Sequence, residues 1–124
     1  MGLIKKRFIE QLKIIKSYTW AIQGEIKVAS GDIDYICPMF ISSSNGAKLV
    51  GCRYTINSGT SVTAKLQINN SDVSGFTNIN ITTTPNSTSG NIQLNNNDKI
   101  ALVITSVVGT PKNLSFTIFV EYTI

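Results

Sequence analysis

Histidine is absent from the 124 residues, and charged residues make up only 15% of them. The lack of histidine removes the commonest general base, the commonest metal ligand and the histidine-dependent catalytic triads. No apolar run reaches the roughly 18 residues that a membrane-spanning helix needs. We therefore expect a non-enzymatic protein with no cofactor, no metal site and no membrane insertion.

The polar surface of this chain must come from neutral side chains, because charges are so few. The sequence contains 12 Asn, 13 Ser and 13 Thr beside 18 Ile. Asn and Ser favour turns, whereas β-branched Ile and Thr favour strands. The composition predicts an all-β fold, and the length fits one hydrophobic core.

The positive charge is concentrated at the beginning of the chain. The net charge is +4, and residues 1–16 carry five cations and one carboxylate, whereas the remaining residues carry six of each. A nucleic-acid-binding domain needs several cations on one folded face. Only the short N-terminal segment offers such a cluster, since the cations of the remaining residues are balanced by carboxylates, and we expect no nucleic-acid partner.

The residues before Trp20 predict a short amphipathic helix. Apolar residues recur there at spacings of four, four and three, with a cluster of cations between the first two: Ile4, Phe8, Leu12 and Ile15, with Lys5, Lys6 and Arg7. A helix this short is marginal alone in water, which leaves three uses for it: an oligomerisation bundle, docking on another protein, or packing on its own domain. We assign residues 1–19 to this helix and residues 20–124 to a β-sandwich domain.

From Trp20 onward the hydrophobic period changes from 3.6 to 2. Alternation is clearest at residues 62–68 and again at 114–124, whereas residues 100–107 are apolar on both faces and predict a central strand. Pro38 predicts that its strand lies at a sheet edge or contains a bulge, and residues 85–90 predict a loop. Eight strands separated by turn residues predict an antiparallel β-sandwich of jelly-roll type.

Carboxylates suggest two kinds of site, and in both cases turn chemistry is the stronger interpretation. Asp32 and Asp34 lie two residues apart, as a glycosidase pair could, but beside a turn where Asp is common. The loops 69–72 and 95–98 are rich in oxygen ligands for calcium, yet each contains a single carboxylate.

The two cysteines flank the turn at residues 42–46 symmetrically. If the neighbouring strands formed a simple hairpin, Cys37 and Cys52 would be direct cross-strand partners. Two buried thiols are favoured over a disulfide, because consecutive strands of a jelly roll often belong to opposite sheets.

Aromatic side chains are the usual platforms for sugars, and two of them lie where helix and sandwich meet. Tyr18 and Trp20 are therefore candidate ligand contacts, with packing at the junction as the alternative. Tyr35, Tyr54 and Tyr122 occupy inward positions of their strands and predict core residues.

Three segments carry a resemblance to a known class of protein. Residues 51–59 read GCRYTINSG and are followed by TSVTAKL, and residues 94–102 read LNNNDKIAL. With the N-terminal helix and the strands rich in Asn, Ser, Thr and Ile, they resemble the small jelly-roll modules of tailed-bacteriophage fibres.

That resemblance implies a virion structural protein, assembled in the host cytoplasm and displayed on the head or tail as a fibre or capsid decoration. It also implies a homotrimer, other virion proteins as partners for the helix, and host attachment through a surface glycan. The alternative is a carbohydrate-binding module or adhesin domain that works as a monomer.

Overall fold

The computed structural model describes residues 12–29 and 36–124, which form nine strands. These are β1 (Lys13–Glu25), β2 (Ile36–Phe40), β3 (Ala47–Ser58), β4 (Ser61–Ile68), β5 (Ser71–Asp72), β6 (Ile79–Ile81), β7 (Asn86–Leu94), β8 (Lys99–Val108) and β9 (Lys112–Thr123). None of the described residues is helical, so none of them belongs to a helix able to cross a membrane.

All strand pairs are antiparallel and belong to two sheets. The four-stranded sheet has the order β1-β9-β3-β7. The five-stranded sheet has the order β2-β8-β4, and both β5 and β6 pair with the remaining side of β4. Because the chain crosses repeatedly from one sheet to the other, residues far apart in sequence become neighbours.

The core lies between the inner faces of the two sheets. A row of three aromatic residues crosses the four-stranded sheet, since Trp20 on β1 and Tyr54 on β3 both pair with Phe116 on β9. The Tyr54 and Phe116 rings stack with centroids 5.4 Å apart, and the Trp20 ring is tilted at 6.0 Å from Phe116. Such cross-strand aromatic pairs hold three strands together on their buried side.

The predicted N-terminal helix is wrong where the structure tests it. Residues 13–25 form β1, which pairs with β9, and Ile15 projects from its outer side with 62% of its surface exposed. Leu12 directly precedes the strand and is also exposed. A spacing of three residues places Leu12 and Ile15 on opposite sides of an extended chain, so the helical spacing does not reflect the conformation here. Pairing with β9, at the other end of the chain, decides that this segment is a strand. The other predicted helix residues, namely Ile4, Lys5, Lys6, Arg7 and Phe8, lie outside the described residues.

The predicted jelly roll of eight strands is also corrected, because residues 12–29 and 36–124 already form nine strands. The largest local difference is β7, which includes residues 86–90 that predicted a loop. These residues are mostly exposed because β7 is an edge strand, so they show no apolar alternation. Within this strand, position 90 requires glycine, because a Cβ there would come within 2.6 Å of the buried Phe76 ring.

Two other predictions about strands are confirmed. Pro38 lies in β2, which is an edge strand of the five-stranded sheet. β8, which is apolar on both faces, is a central strand of that sheet. The last strand, β9, lies between β1 and β3 rather than at an open edge, and its alternate apolar residues are buried in the core.

The proposed hairpin of the two cysteines is wrong, because β2, which contains Cys37, and β3, which contains Cys52, belong to different sheets. The favoured prediction of a buried thiol is confirmed for Cys52, which is free and 1% exposed. The Cys37 side chain lies outside what the structure describes. Burial raises the pKa of the Cys52 thiol to about 11, against an ordinary value of 9.0, although hydrogen bonds with Thr88 partly oppose this shift.

We expect Cys52 to resist alkylation in the folded protein. The raised pKa lowers the thiolate fraction about a hundredfold at neutral pH, and only the thiolate attacks iodoacetamide. Labelling of a Cys37→Ala variant, followed by mass spectrometry, should therefore be at least about a hundredfold slower without urea than in urea. Equal rates in the two conditions would contradict the buried position of Cys52.

Candidate functional site

A cleft opens at one end of the sandwich, between the beginning of β1, the end of β9 and the segment that joins β2 to β3. We call it the tyrosine cleft. Its volume is about 560 Å³, and it is lined by Ile14, Lys16 and Tyr18 of β1, by Phe40 and residues 42–44, and by residues 122–124. Small-molecule sites in proteins usually measure about 300–1,000 Å³, and the cleft lies within that range.

The cleft exists because the inner side of β1 is progressively uncovered toward its beginning. Trp20 is 8% exposed and Tyr18 is half-buried, whereas Ile14 is 44% exposed. All three side chains point to the same side of the strand, since they differ by even numbers of residues. The sheets therefore enclose a dry core at Trp20 and leave a ligand-sized opening before it.

Two tyrosines from adjacent strands meet in the cleft. Tyr18 comes from β1 and Tyr122 from β9, and their hydroxyl oxygens lie 2.7 Å apart in a hydrogen bond. Burial, together with the Tyr18 hydroxyl, raises the pKa of Tyr122 above its ordinary value. Tyr122 is therefore neutral at physiological pH, and the pair retains one O–H hydrogen that can be donated to a ligand.

Among the described residues that line the cleft, Lys16 alone has a charged side chain. Its Nζ lies 5.7 Å from the centre of the Tyr122 ring, within the range of a cation–π interaction. This contact orients the lysine over the aromatic wall. The cleft thus combines aromatic faces, hydroxyl groups and a single cation.

The rim of the cleft at residues 42–44 is tied to the turn between β7 and β8. The Ser43 N–H donates to Asn96 Oδ1 at 2.8 Å, and the Asn97 N–H donates to the Ile41 carbonyl at 2.7 Å. The Gly46 N–H donates to Ser43 Oγ at 3.0 Å. These bonds hold the serines in place beside the exposed Phe40 ring.

The two oxygen-rich loops, residues 69–72 and 95–98, lie side by side. Their side-chain oxygens accept hydrogen bonds from groups of the protein. Asp98 accepts hydrogen bonds from Asn69 Nδ2 at 2.9 Å and from the Asn95 N–H at 2.8 Å. Asp72 pairs with Lys65 at 3.0 Å, and a hydrogen bond from Gln67, followed by Lys65, lowers the pKa of its carboxyl. Within the described residues no group of three or more His, Cys, Asp or Glu is placed to hold a metal ion. The predicted pair Asp32 and Asp34 lies outside those residues.

The structure separates the two ligand contacts that the sequence suggested. Tyr18 lines the tyrosine cleft, whereas Trp20 is buried against Phe116. Tyr122, which was predicted as core, is half-buried and lines the cleft as well. The sequence analysis did not identify Phe40, which is 73% exposed, although the run of serines that begins two residues later marks the end of its strand.

A smaller depression of about 250 Å³ lies on the outer face of the four-stranded sheet, beside Arg53, Thr55 and Phe119. Its volume is below the usual range for small-molecule sites. The tyrosine cleft is therefore the stronger candidate.

Comparison with known proteins finds similarity in fold alone. No model of a protein family matches the chain, and no curated protein matches it. The native structure of a family 35 carbohydrate binding module from Clostridium thermocellum is similar, with a TM-score of 0.50 and 15% sequence identity. The match covers 88% of this chain and 97% of that chain. The two proteins share a β-sandwich fold.

Proposed function

We propose that this protein is a non-catalytic carbohydrate-binding domain and that the tyrosine cleft holds the saccharide. The observation that carries the proposal is the hydrogen-bonded pair of Tyr18 and Tyr122 beside the exposed Phe40 in one ligand-sized cleft. The sandwich fold shared with a carbohydrate-binding module supports it.

The chemistry of the cleft matches the chemistry of a sugar ring. A pyranose presents an apolar face of C–H groups and an edge of hydroxyls. Phe40 presents an exposed apolar ring. Contact with the C–H face of a sugar removes this apolar surface from water, which is favourable. The tyrosine hydroxyls, the serine hydroxyls and Lys16 can hydrogen-bond the sugar edge.

The virion role implied by the sequence resemblance stays a prediction, as do the homotrimer and the partners within a virion. The proposed cleft is compatible with that role, because attachment to a host glycan is part of it. The alternative of a carbohydrate-binding module or adhesin needs only the cleft, so we place it first.

Calorimetric titration with a panel of soluble polysaccharides and oligosaccharides tests this function. We expect binding to at least one member, and we expect Phe40→Ala to weaken it about tenfold or more, since a stacked ring contributes on the order of 1–2 kcal/mol. Tyr18→Phe and Tyr122→Phe should each weaken it by up to about tenfold through loss of one hydrogen bond.

Val108→Ala is the matched control, because Val108 is also a largely exposed apolar residue and does not line the cleft. It should leave the affinity unchanged. Absence of binding across the whole panel, or equal affinity of the Phe40→Ala variant and the unaltered protein, would refute the proposed function.

A further inference from the structure

The depression on the outer face of the four-stranded sheet is distinct from the tyrosine cleft. We call it the arginine depression. Its volume is about 250 Å³, and its lining includes Arg53 and Thr55 of β3 and Thr117 and Phe119 of β9. These residues alternate with buried residues of the same strands, so their side chains point away from the core. The tyrosine cleft, in contrast, opens on the inner side of β1 at one end of the sandwich.

Phe119 forms the aromatic wall of the arginine depression. It pairs across the sheet with Gly51, and its ring lies over that glycine, with Cδ2 4.0 Å from the place that a Cβ at residue 51 would take. The same Cβ would lie 3.0 Å from the Thr88 carbonyl oxygen, so glycine leaves room for both neighbours. The ring is only half-buried, and part of it remains open to a ligand.

Arg53 supplies the charge of the depression, which no carboxylate side chain of the described residues lines. Each of the four carboxylate side chains in residues 12–29 and 36–124 already has a partner: Glu25 pairs with Lys27, Asp72 with Lys65 and Glu121 with Lys13, and Asp98 accepts hydrogen bonds from Asn69 and Asn95. Arg53 is exposed and has no hydrogen-bond or ion-pair partner among the same residues. Its guanidinium is therefore free to pair with an anion from outside the chain.

Two hydroxyl groups complete the polar lining. Thr117 Oγ1 lies 2.7 Å from Thr19 Oγ1, and this pair retains one O–H hydrogen for a ligand. Thr55 Oγ1 donates to the Thr82 carbonyl at 3.2 Å, which leaves its oxygen able to accept a hydrogen bond. The depression therefore has both a donor and an acceptor for the hydroxyl groups of a ligand.

These groups together match a sugar residue that carries a carboxylate. A guanidinium and a carboxylate form two parallel hydrogen bonds, a geometry that lysine does not reproduce. The Phe119 ring can contact the C–H face of the sugar, and the threonine hydroxyls can bind its hydroxyl groups. A volume below that of most small-molecule sites limits the depression to a single sugar residue.

We propose that the arginine depression is a second saccharide site, which binds an acidic sugar residue through Arg53 and Phe119. The site is independent of the proposed function of the tyrosine cleft, because the two openings lie on opposite sides of the four-stranded sheet and share no lining residue.

Calorimetric titration of the full chain with a panel of uronate trisaccharides tests the proposal, with the methyl ester of each acid as its neutral counterpart. We expect at least one acid to bind, and its ester to bind about tenfold more weakly or less. Arg53→Gln should weaken binding of the acid about tenfold or more, and Arg53→Lys should weaken it severalfold, because lysine keeps the charge but loses the paired hydrogen bonds. Phe119→Ala should also weaken it severalfold.

Lys48→Gln is the matched control, because it removes a cation from the same strand without touching the lining of the depression. Lys16→Gln removes the cation of the tyrosine cleft, and neither variant should change the affinity for the acid. If Lys16→Gln lost binding while Arg53→Gln kept it, the acid would lie in the tyrosine cleft and the proposal would be overturned. Equal affinity for an acid and its ester, or no binding of any acid in the panel, would overturn it as well.

Discussion

Replacement of Phe116 by alanine should destabilise the protein by about 3–5 kcal/mol, the range for loss of a fully buried phenylalanine. Phe116 is 0% exposed and contacts both the Trp20 and the Tyr54 rings from the middle of the four-stranded sheet. Its neighbours belong to three paired strands and cannot close in, so a cavity remains. Urea unfolding measures the loss, and the single tryptophan of the chain, Trp20, is a fluorescent probe beside the site.

Phe119→Ala is the matched control, because Phe119 lies on the same strand with its ring on the opposite face. It is only partly buried, over Gly51 on the outer side of the sheet. We expect it to cost less than half as much as Phe116→Ala. If the two variants lost equal stability, the assignment of the inner face of β9 to the core would be wrong.

Gly59→Ala should be the second strongly destabilising change, with a loss of about 2–5 kcal/mol from backbone strain and overpacking together. Gly59 has a φ of 98°, which L residues rarely adopt, and a Cβ there would lie 2.4 Å from Pro111 Cα. Pro111 cannot retreat freely, because its carbonyl accepts a hydrogen bond of 2.9 Å from the Ile26 N–H. Thermal unfolding followed by circular dichroism measures the effect.

Gly75→Ala separates the two causes. Gly75 has a similar φ of 87°, but a Cβ there would have no atom within 4 Å. Its replacement should cost about 1–2 kcal/mol from backbone strain alone. A loss for Gly59→Ala no larger than this would show that the contact with Pro111 relaxes without cost.

Strands with one buried face could be predicted because their chemistry is local. In β4, Val62, Ala64 and Leu66 alternate with polar residues, and each of the three is fully buried. In β9 the same pattern identifies the residues of the inner face. On a half-buried strand, apolar and polar residues alternate in the sequence itself, so the strand can be predicted without knowledge of its partner strand.

The two edge strands of the four-stranded sheet could not be predicted in this way. β7 has almost no buried side chains, and β1 is buried only around Trp20 and in part at Tyr18 and Ile22. For such strands the apolar pattern is weak or fits a helix equally well. Pairing with β3 and β9 decides their conformation, and these partners are distant in sequence.

By itself, the sequence determined the all-β character of the domain, the inward residues of β4 and β9 and the place of Pro38 at an edge, because each depends on composition or on a short repeat. The tertiary structure alone decided that residues 13–25 form a strand and that Tyr18 and Tyr122 share a cleft. Those two tyrosines are 104 residues apart, and their hydroxyls meet only because β1 and β9 are neighbours. A contact of that kind arises from the order of strands in a sheet, which no local pattern encodes.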